Sequence, residues 1–246
     1  MIMNILRNLM LFLALLPGTL LAQCPQHFFQ GKPPVFQNKA YYKGAQLKCF
    51  QEFAVLWSQP TRVPLWSAEY LTPERMQKAA AVKRQGEFHE DPAIADGAKL
   101  SDYRRSGFDR GHMSPSADMS TLASQQESFN LANIVPQDPK QNGNQWVAVE
   151  NATRSMARKQ PIYVITGVVF EGQNISFLQG RVGVPTSMYK LIYAPKEGKA
   201  AAYWVDNHGK AVIQFMSLEQ LEKRIGVSFG LRAQRLILPA PYARNN

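Results

Sequence analysis

Cysteine, acidic side chains and long apolar runs are all scarce in this sequence, and each scarcity removes a class of protein. Two cysteines among 246 residues are too few for the thiolate-built zinc sites that hold small domains together. The apolar run at residues 9–16 is eight long, well short of the ~20 residues that cross a bilayer as a helix. No internal repeat is visible, which excludes solenoids and propellers, and no low-complexity linker divides the chain. What remains is a single folded unit, since 45% hydrophobic composition over 246 residues supplies a full core.

The shortage of acid leaves a surplus of base. Eighteen Asp and Glu stand against 28 Lys and Arg, a formal net charge of +10. Such a field attracts polyanions and speeds encounter with them, although a basic surface that is merely solvated carries the same charge. Arg7, the apolar run at 9–16, Pro17-Gly18 and a small residue at Ala22 follow the pattern of a secretory signal. Cleavage after Ala22 would leave 27 basic residues against 18 acidic ones, a charge of +9. Gln23, before Cys24, is not the small residue that lipid attachment requires. The expectation is therefore a soluble exported protein, periplasmic or extracellular, with no membrane anchor after signal cleavage. An even pair of cysteines, Cys24 and Cys49, in an oxidising compartment points to a disulfide; two free thiols are the alternative. The expected organisation is a signal at 1–22, a disulfide-stapled arm at 23–52 and one domain at 53–246.

The arm shows no clean period, and Pro33-Pro34 opposes helix there. Residues 53–57 and 63–70 read as paired strands around Gln59-Pro60-Thr61. A short helix is expected at 71–81, with Pro73 in its first turn, then a loop rich in Asp, Pro and Gly over 86–106. Helices follow at 124–131 and 144–159, the second stopped by Pro161. β-Branched and aromatic residues predict strands at 162–170, 182–194 and 200–205. Ser217 and Gln220 form a capping box for a last helix at 218–225, which Gly226 ends.

The chemistry concentrates in the middle. Asp109-Arg110-Gly111-His112, inside a stretch from Ser106 to Met119, sets one imidazole beside one guanidinium on a Gly turn. A His titrating near ~6.5 can take a proton from water at neutral pH, and an Arg fork can hold a phosphate in two hydrogen bonds. A lone His is more often a satisfied surface or core residue, and His27, His89 and His208 are read that way. A second cluster, Asn142, Trp146, Glu150 and Arg154, is spaced four apart. On a helix each step of four advances by ~40°, so Asn142, Glu150 and Arg154 would project from neighbouring parts of one face. Glu150 and Arg154 alone would be an ordinary surface ion pair, and Trp146 is read as core.

Together these blocks resemble the DNA/RNA non-specific endonucleases of the ββα-metal (His-Me finger) type, which include secreted bacterial nucleases and endonuclease G. The shared residues run from Ser101-Asp102-Tyr103 through SGFDRGH, then FNLANIVPQ at 129–137, then Asn142, Trp146, Glu150 and Arg154. The likeness extends from about Phe53 to the C-terminus. It implies an α+β fold with a mixed or antiparallel sheet core, flanking helices and a ββα-metal catalytic motif. It also implies a Mg²⁺-dependent endonuclease, with Mn²⁺ as a substitute, that cuts DNA and RNA with little sequence preference and leaves 5′-phosphate ends.

By the same resemblance His112 would be the general base. Asn142 would be the sole direct protein ligand of the metal, whose other positions stay with water and substrate phosphate. Glu150 would orient the metal's waters, and Arg154 would pair with phosphate. Arg110 would do likewise or brace the site against a carboxylate. Asp109 is assigned to holding the loop, Asn133 to supporting the metal-binding loop, and Arg84 to an upstream phosphate contact. The sequence departs from the family's usual pattern in places. Gln141 stands where an aliphatic residue is common, and the usual Asn-Gln pair reads Asn142-Gly143, which leaves Asn144 as an alternative ligand. Ala132 replaces a serine of the family's Leu-Ser-Asn block.

No base-reading helix, aromatic stacking ladder or zinc cluster stands out, so contacts would go mainly to phosphates, which carry no sequence information. The rival from a different class is an exported nucleic-acid-binding protein on a catalytically inactive nuclease scaffold. The presence of every matched site residue speaks against it. A toxin nuclease delivered into other cells and a hydrolase of small phosphodiesters are further alternatives.

Overall fold

In the computed structural model, which describes residues 23–241, the frame is one long antiparallel sheet. In chain order the principal elements are β1 (Ala45–Cys49), β2 (Ala54–Ser58), β3 (Val63–Leu71), α1 (Pro73–Ala81), β4 (Asp109–His112), α2 (Leu122–Ser128), β5 (Ile134–Gln137), α3 (Val147–Ala157), β6 (Ile162–Val169), β7 (Ser187–Ala194), β8 (Lys199–Asp206), β9 (Gln214–Ser217) and α4 (Leu218–Ile225). The sheet runs β9-β8-β7-β6-β3-β2-β1, every neighbouring pair antiparallel. A short strand, Gln234–Arg235, adds to it parallel to β8. β4 and β5 form a separate pair. This is the expected α+β architecture, antiparallel in its sheet, with helices against it.

Both faces of the sheet are covered, which is why β7 (SMYKLIYA) is buried at every position. Successive side chains alternate between faces. Met188 and Ile192 join Leu71, Val164 and Trp146 in one core, while Tyr189 and Leu191 join Trp66, Ile165 and Trp204 in the other. Full burial of each such side chain stabilises by ~1.5–3 kcal/mol. One polar row crosses the first face: Ser67, Thr166 and Lys190 lie opposite one another on β3, β6 and β7, with Glu69 two residues along β3.

Local signals explain the element ends. Thr72 caps α1 by accepting from Arg75 N at 3.1 Å, with Pro73 at its first position. The Ser217/Gln220 capping box forms as expected, and Gly226, at φ 62°, closes α4 in the left-handed region that glycine enters without steric cost. The strand expected at 182–194 is broken: Val182–Gly183 pairs with Phe177–Leu178, and β7 begins at Ser187. Pro185 between them has no N–H for a central ladder. The helix expected at 124–131 starts earlier, at Leu122 behind Thr121, and ends at Ser128. There Asn130 turns the chain by accepting from Ala132 N at 2.8 Å.

The arm contributes more than an irregular cover, because β1 lies within it and forms the sheet's edge beside β2. Cys24 and Cys49 are joined in a disulfide, Cα to Cα 5.8 Å, which fixes the arm's start to the end of that strand. The signal expected at 1–22 lies outside the described residues. Among the described residues no helix is long and apolar enough to cross a membrane.

Candidate active site

β4 and β5 pair with Asp109 opposite Gln137 and His112 opposite Ile134, and the chain then turns through Asp138 into helix. This strand pair and helix bring the two sequence blocks together. Gly111 lets the pair close, since a Cβ there would lie 1.9 Å from Gln137 Oε1. Gln137 Nε2 donates to Gln141 Oε1 at 2.5 Å, tying the strand's end to the helix's start. Asp138 Oδ1 caps that start by accepting from Lys140 N and Gln141 N at 2.9 and 3.0 Å, which satisfies N–H groups a helix terminus leaves open.

Helical structure therefore begins before residue 144, the expected start: from residue 139 it passes into a π-helical turn, Gln141–Trp146, that leads into α3. Such widened turns are frequent at functional sites. Asn142 sits in that turn, out of the plain α-register that the spacing of four assumed. The single shared face is accordingly split: Asn142 lines one cavity with Asp109 and Arg110, and Arg154 lines another, with Arg84 in both.

Asn142 Nδ2 donates to Asp109 Oδ2 at 3.0 Å. A carboxylate beside the amide demands its NH₂, so Oδ1 is left over, and among the described residues it accepts no hydrogen bond. One neutral oxygen suits Mg²⁺, a hard cation that keeps several waters in its shell. Among the described residues no three His, Cys, Asp or Glu side chains cluster as a cage. The donor set on offer is thus Asn142 with water and phosphate oxygens. Asn144 is exposed and does not line that cavity. Asp109 does more than hold a loop: it orients the amide.

His112 packs between two rings, Phe88 at 5.3 Å and Phe129 at 4.9 Å between centroids. Gly86 admits Phe129, whose ring would lie 2.0 Å from a Cβ at that position. Burial, helped by the charge of Arg84, pushes the imidazole down to about 3, so it is neutral at physiological pH. Its Nε2 is sealed from solvent without a hydrogen-bond partner. Just past it, Asn133 brackets Ser114: Oδ1 accepts from Ser114 N at 3.0 Å, and Nδ2 donates to Ser114 O at 2.8 Å and Ser128 O at 2.9 Å. Asn133 thus braces the chain just past His112, whereas its expected place was support of the metal-binding loop.

The arginines divide into two kinds. Arg110 is exposed, with its guanidinium 4.4 Å from the Phe88 ring centroid, and it braces no carboxylate among the described residues. With Arg84 and Arg104 it walls a cavity of about 560 Å³ that Asn142 and Asp109 also line. Arg154 is only 9% exposed and is tied to Asp118 Oδ1 at 2.9 Å, Asn151 Oδ1 at 2.8 Å and Glu150 Oε2 at 3.9 Å. It departs in this from the free phosphate contact expected of it. Burial raises the Glu150 carboxyl, against the opposing pull of Arg154.

Sequence reasoning missed Asp118, the Phe88 and Phe129 walls, and a buried group beneath α3. In that group Lys190 Nζ donates to Thr166 Oγ1 at 2.5 Å and lies 5.4 Å from the Trp146 ring, while Glu69 Oε1 accepts from Arg75 at 3.3 Å. Burial raises the Glu69 carboxyl and lowers the Lys190 ammonium. A lysine inside the otherwise apolar run of β7 was the available signal.

A family model described as DNA/RNA non-specific endonuclease matches residues 31–235. Nuclease C1 of Cunninghamella echinulata var. echinulata is 33% identical over 168 residues, 62% of this chain and 67% of that protein. Mitochondrial endonuclease G of Homo sapiens is 33% identical over 168 residues, 63% of this chain and 56% of that protein. The chain thus matches roughly half to two thirds of the length of such relatives. A crystal structure of an EndoG/EndoGI complex superposes with a TM-score of 0.66 at 26% identity, covering 74% of this chain and 84% of that one.

Proposed function

Because the chain belongs to the DNA/RNA non-specific endonuclease family, we propose that it is an exported, Mg²⁺-dependent nuclease that cuts DNA and RNA with little sequence preference and leaves 5′-phosphate ends. The observation that carries this reading is the Asn142 amide, oriented by Asp109 in a cavity walled by three exposed arginines. Phe88 connects it to the neutral His112, because that ring touches both His112 and Arg110.

A divalent cation on Asn142 Oδ1 would supply Lewis-acid stabilisation of the charge that grows on the phosphate and on the departing 3′-oxygen. Asp109 keeps the amide oxygen turned toward that place. His112 takes the proton of the attacking water. With Nε2 sealed, Nδ1 is the nitrogen left to accept it, and a phosphate anion in the cavity raises the ring's basicity from its low resting value. Glu150 accepts hydrogen bonds from water around Asn142. Arg110, stacked on Phe88 and otherwise unengaged, offers its fork to phosphate oxygens, and Arg84 offers a second. Arg154 holds Glu150 in place from behind.

Export rests on the pattern at residues 1–22 and on the Cys24–Cys49 disulfide, a bond that persists in oxidising compartments. The test of function is cleavage of supercoiled plasmid and of a long RNA by the mature protein, with Mg²⁺ and with EDTA, beside His112→Ala. Metal-dependent nicking of both substrates that the variant loses, while it still retards DNA in a gel, is the expected result. Near wild-type cutting by the variant would refute the role of His112. Retarded but uncut plasmid under every metal would instead support a binding protein on an inactive scaffold.

A further inference from the structure

Beyond the cavity of Asn142 lies a second one, of about 280 Å³, and Arg84 lines both. One side of it is basic and polar: Arg158, one helical turn past Arg154 at the end of α3, and Gln125 of α2. The other side is α1, with Met76 and Ala79, continued by Val82. Arg158 is exposed and makes no ion pair among the described residues, whereas Arg154 is consumed by Asp118 and Asn151. Gln125 is 3% exposed. Its Oε1 is fixed by the Gln85 N–H at 2.9 Å, so its Nε2 is held in the cavity wall as a donor without a partner among the described residues. Because that nitrogen opens on the cavity, it is oriented to donate to whatever anion or water enters there.

We propose that this cavity is a second phosphate subsite, which binds the nucleotide next to the one being cut. Its phosphate sits on Arg158, Arg84 and Gln125 Nε2, and its sugar lies against the apolar wall of α1. The inference rests on the nuclease reading and extends it to a minimum substrate length. Arg84 joins the two cavities, so the strand passes from the Asn142 site over Arg84 to Arg158. The step of four residues from Arg154 to Arg158 carries the arginine ~6 Å along the helix, away from the sealed Asp118 pair and out to solvent. The C-terminal dipole of α3 would by itself repel an anion there. Arg158 and Arg84 reverse that field, and the pairing of Arg154 with Asp118 makes the reversal depend on them.

The test measures kcat/KM for oligodeoxynucleotides of two to six residues, in the wild-type protein and in Arg158→Ala, Arg158→Lys and Gln125→Glu. The last variant keeps the acceptor for Gln85 N and replaces the donor with a repelling charge. Since the residue is 3% exposed, a carboxylate there carries a burial cost, so its kinetics are read beside a thermal melt and beside the exposed Arg158→Ala, which carries no such cost. In the wild type kcat/KM rises stepwise once a second phosphate is present. Arg158→Ala and Gln125→Glu cut that length-dependent rise by about tenfold, mainly through KM, and Arg158→Lys restores part of it. The salt slope of oligonucleotide binding becomes shallower by ~0.7 in Arg158→Ala, the value for one lost contact to a single strand. A rise with length that both variants preserve, or a wild type that cuts plasmid but shows no step with length, overturns the subsite and leaves the nuclease reading intact. A wild type that cuts neither plasmid nor oligonucleotide overturns both.

Discussion

Replacing Asp109 with alanine removes the carboxylate that accepts from Asn142 Nδ2 at 3.0 Å and frees the amide to rotate. A hydrogen bond to a charged group contributes ~1.5–3 kcal/mol, and Asp109 is half-buried, which places this one toward the lower end. Spread over the amide's new orientations, that loss falls on Mg²⁺ affinity, where each ~1.4 kcal/mol is a factor of ten. Loss of an outer-shell partner of a metal ligand costs 10–100-fold in affinity by the same reasoning. The expected result for Asp109→Ala is a Mg²⁺ titration of plasmid nicking whose midpoint moves up by ~10-fold or more, with most of kcat recovered at saturating metal. Asp109→Asn, which keeps a neutral acceptor, should lie between. An unchanged midpoint in Asp109→Ala would refute the assignment, because either the amide is held by something else or Asn142 is not the ligand. The companion Asn144→Ala then decides, since a shift there and not in Asn142→Ala would move the ligand by two residues.

The remaining predictions concern charge, burial and the crosslink. The acidic limb of kcat/KM should belong to Glu150, whose carboxyl burial raises; the His112 imidazole is pushed down to about 3 and protonates only at lower pH. Activity therefore falls as pH drops through the Glu150 value, and Glu150→Gln lowers the rate while moving that limb to lower pH; a limb that stays in place refutes the assignment. Asp118→Ala leaves the buried Arg154 guanidinium without its 2.9 Å partner and should cost ~3 kcal/mol, or roughly 6–12 °C in Tm for a domain of this size. A change under 2 °C would mean that Arg154 is solvated and free for phosphate after all. Replacing Cys24 and Cys49 together with serine opens a loop of 25 residues' separation and should lower stability by ~2–4 kcal/mol, read as a drop in Tm. An unaltered Tm would show that the arm is held by β1 pairing alone.

Much of this arrangement was legible in local sequence because its causes are local. Thr72 with Pro73, Ser217 with Gln220, and Gly226 fix helix ends within a few residues of themselves, and the structure places α1 and α4 where those signals do. The DRGH block reads locally as a Gly turn and no strand is assigned to residues 134–137, so their pairing as β4 and β5 was implied only by the resemblance to the ββα-metal type. What was not legible has causes distant in sequence or opposed to pattern. The partner that seals Arg154 is Asp118, 36 residues away, so the helix spacing alone read as a surface pair. The rings around His112 come from residues 88 and 129. The widened turn at Gln141–Trp146 has no local signature, although Asp138 as cap with Pro139 behind it is a start signal of the same kind as Thr72 with Pro73. The edge strand β1 (AQLKC) does alternate apolar and polar, but its positions are exposed or only half-buried, and five residues within a stretch of no clean period are too few for the alternation to stand out.

The placement of charge makes physical sense of the basic surplus. Beneath α3 three acids, Glu69, Asp118 and Glu150, lie among three bases, Arg75, Arg154 and Lys190. Buried charges are tolerated when paired and costly when not. Glu69 and Lys190 shift toward neutrality together, and whether that pair is ionised or neutral it contributes no net charge. The buried network therefore cancels, and the excess of base lies at the surface, where Arg84, Arg104, Arg110 and Arg158 line the two cavities. A cleft with low-dielectric walls and one sign of charge focuses the field along its length. Four members of the basic surplus thus line the path proposed for a polyanion past Asn142, and an arginine drawn inward, as Arg154 is, serves geometry at the cost of attraction.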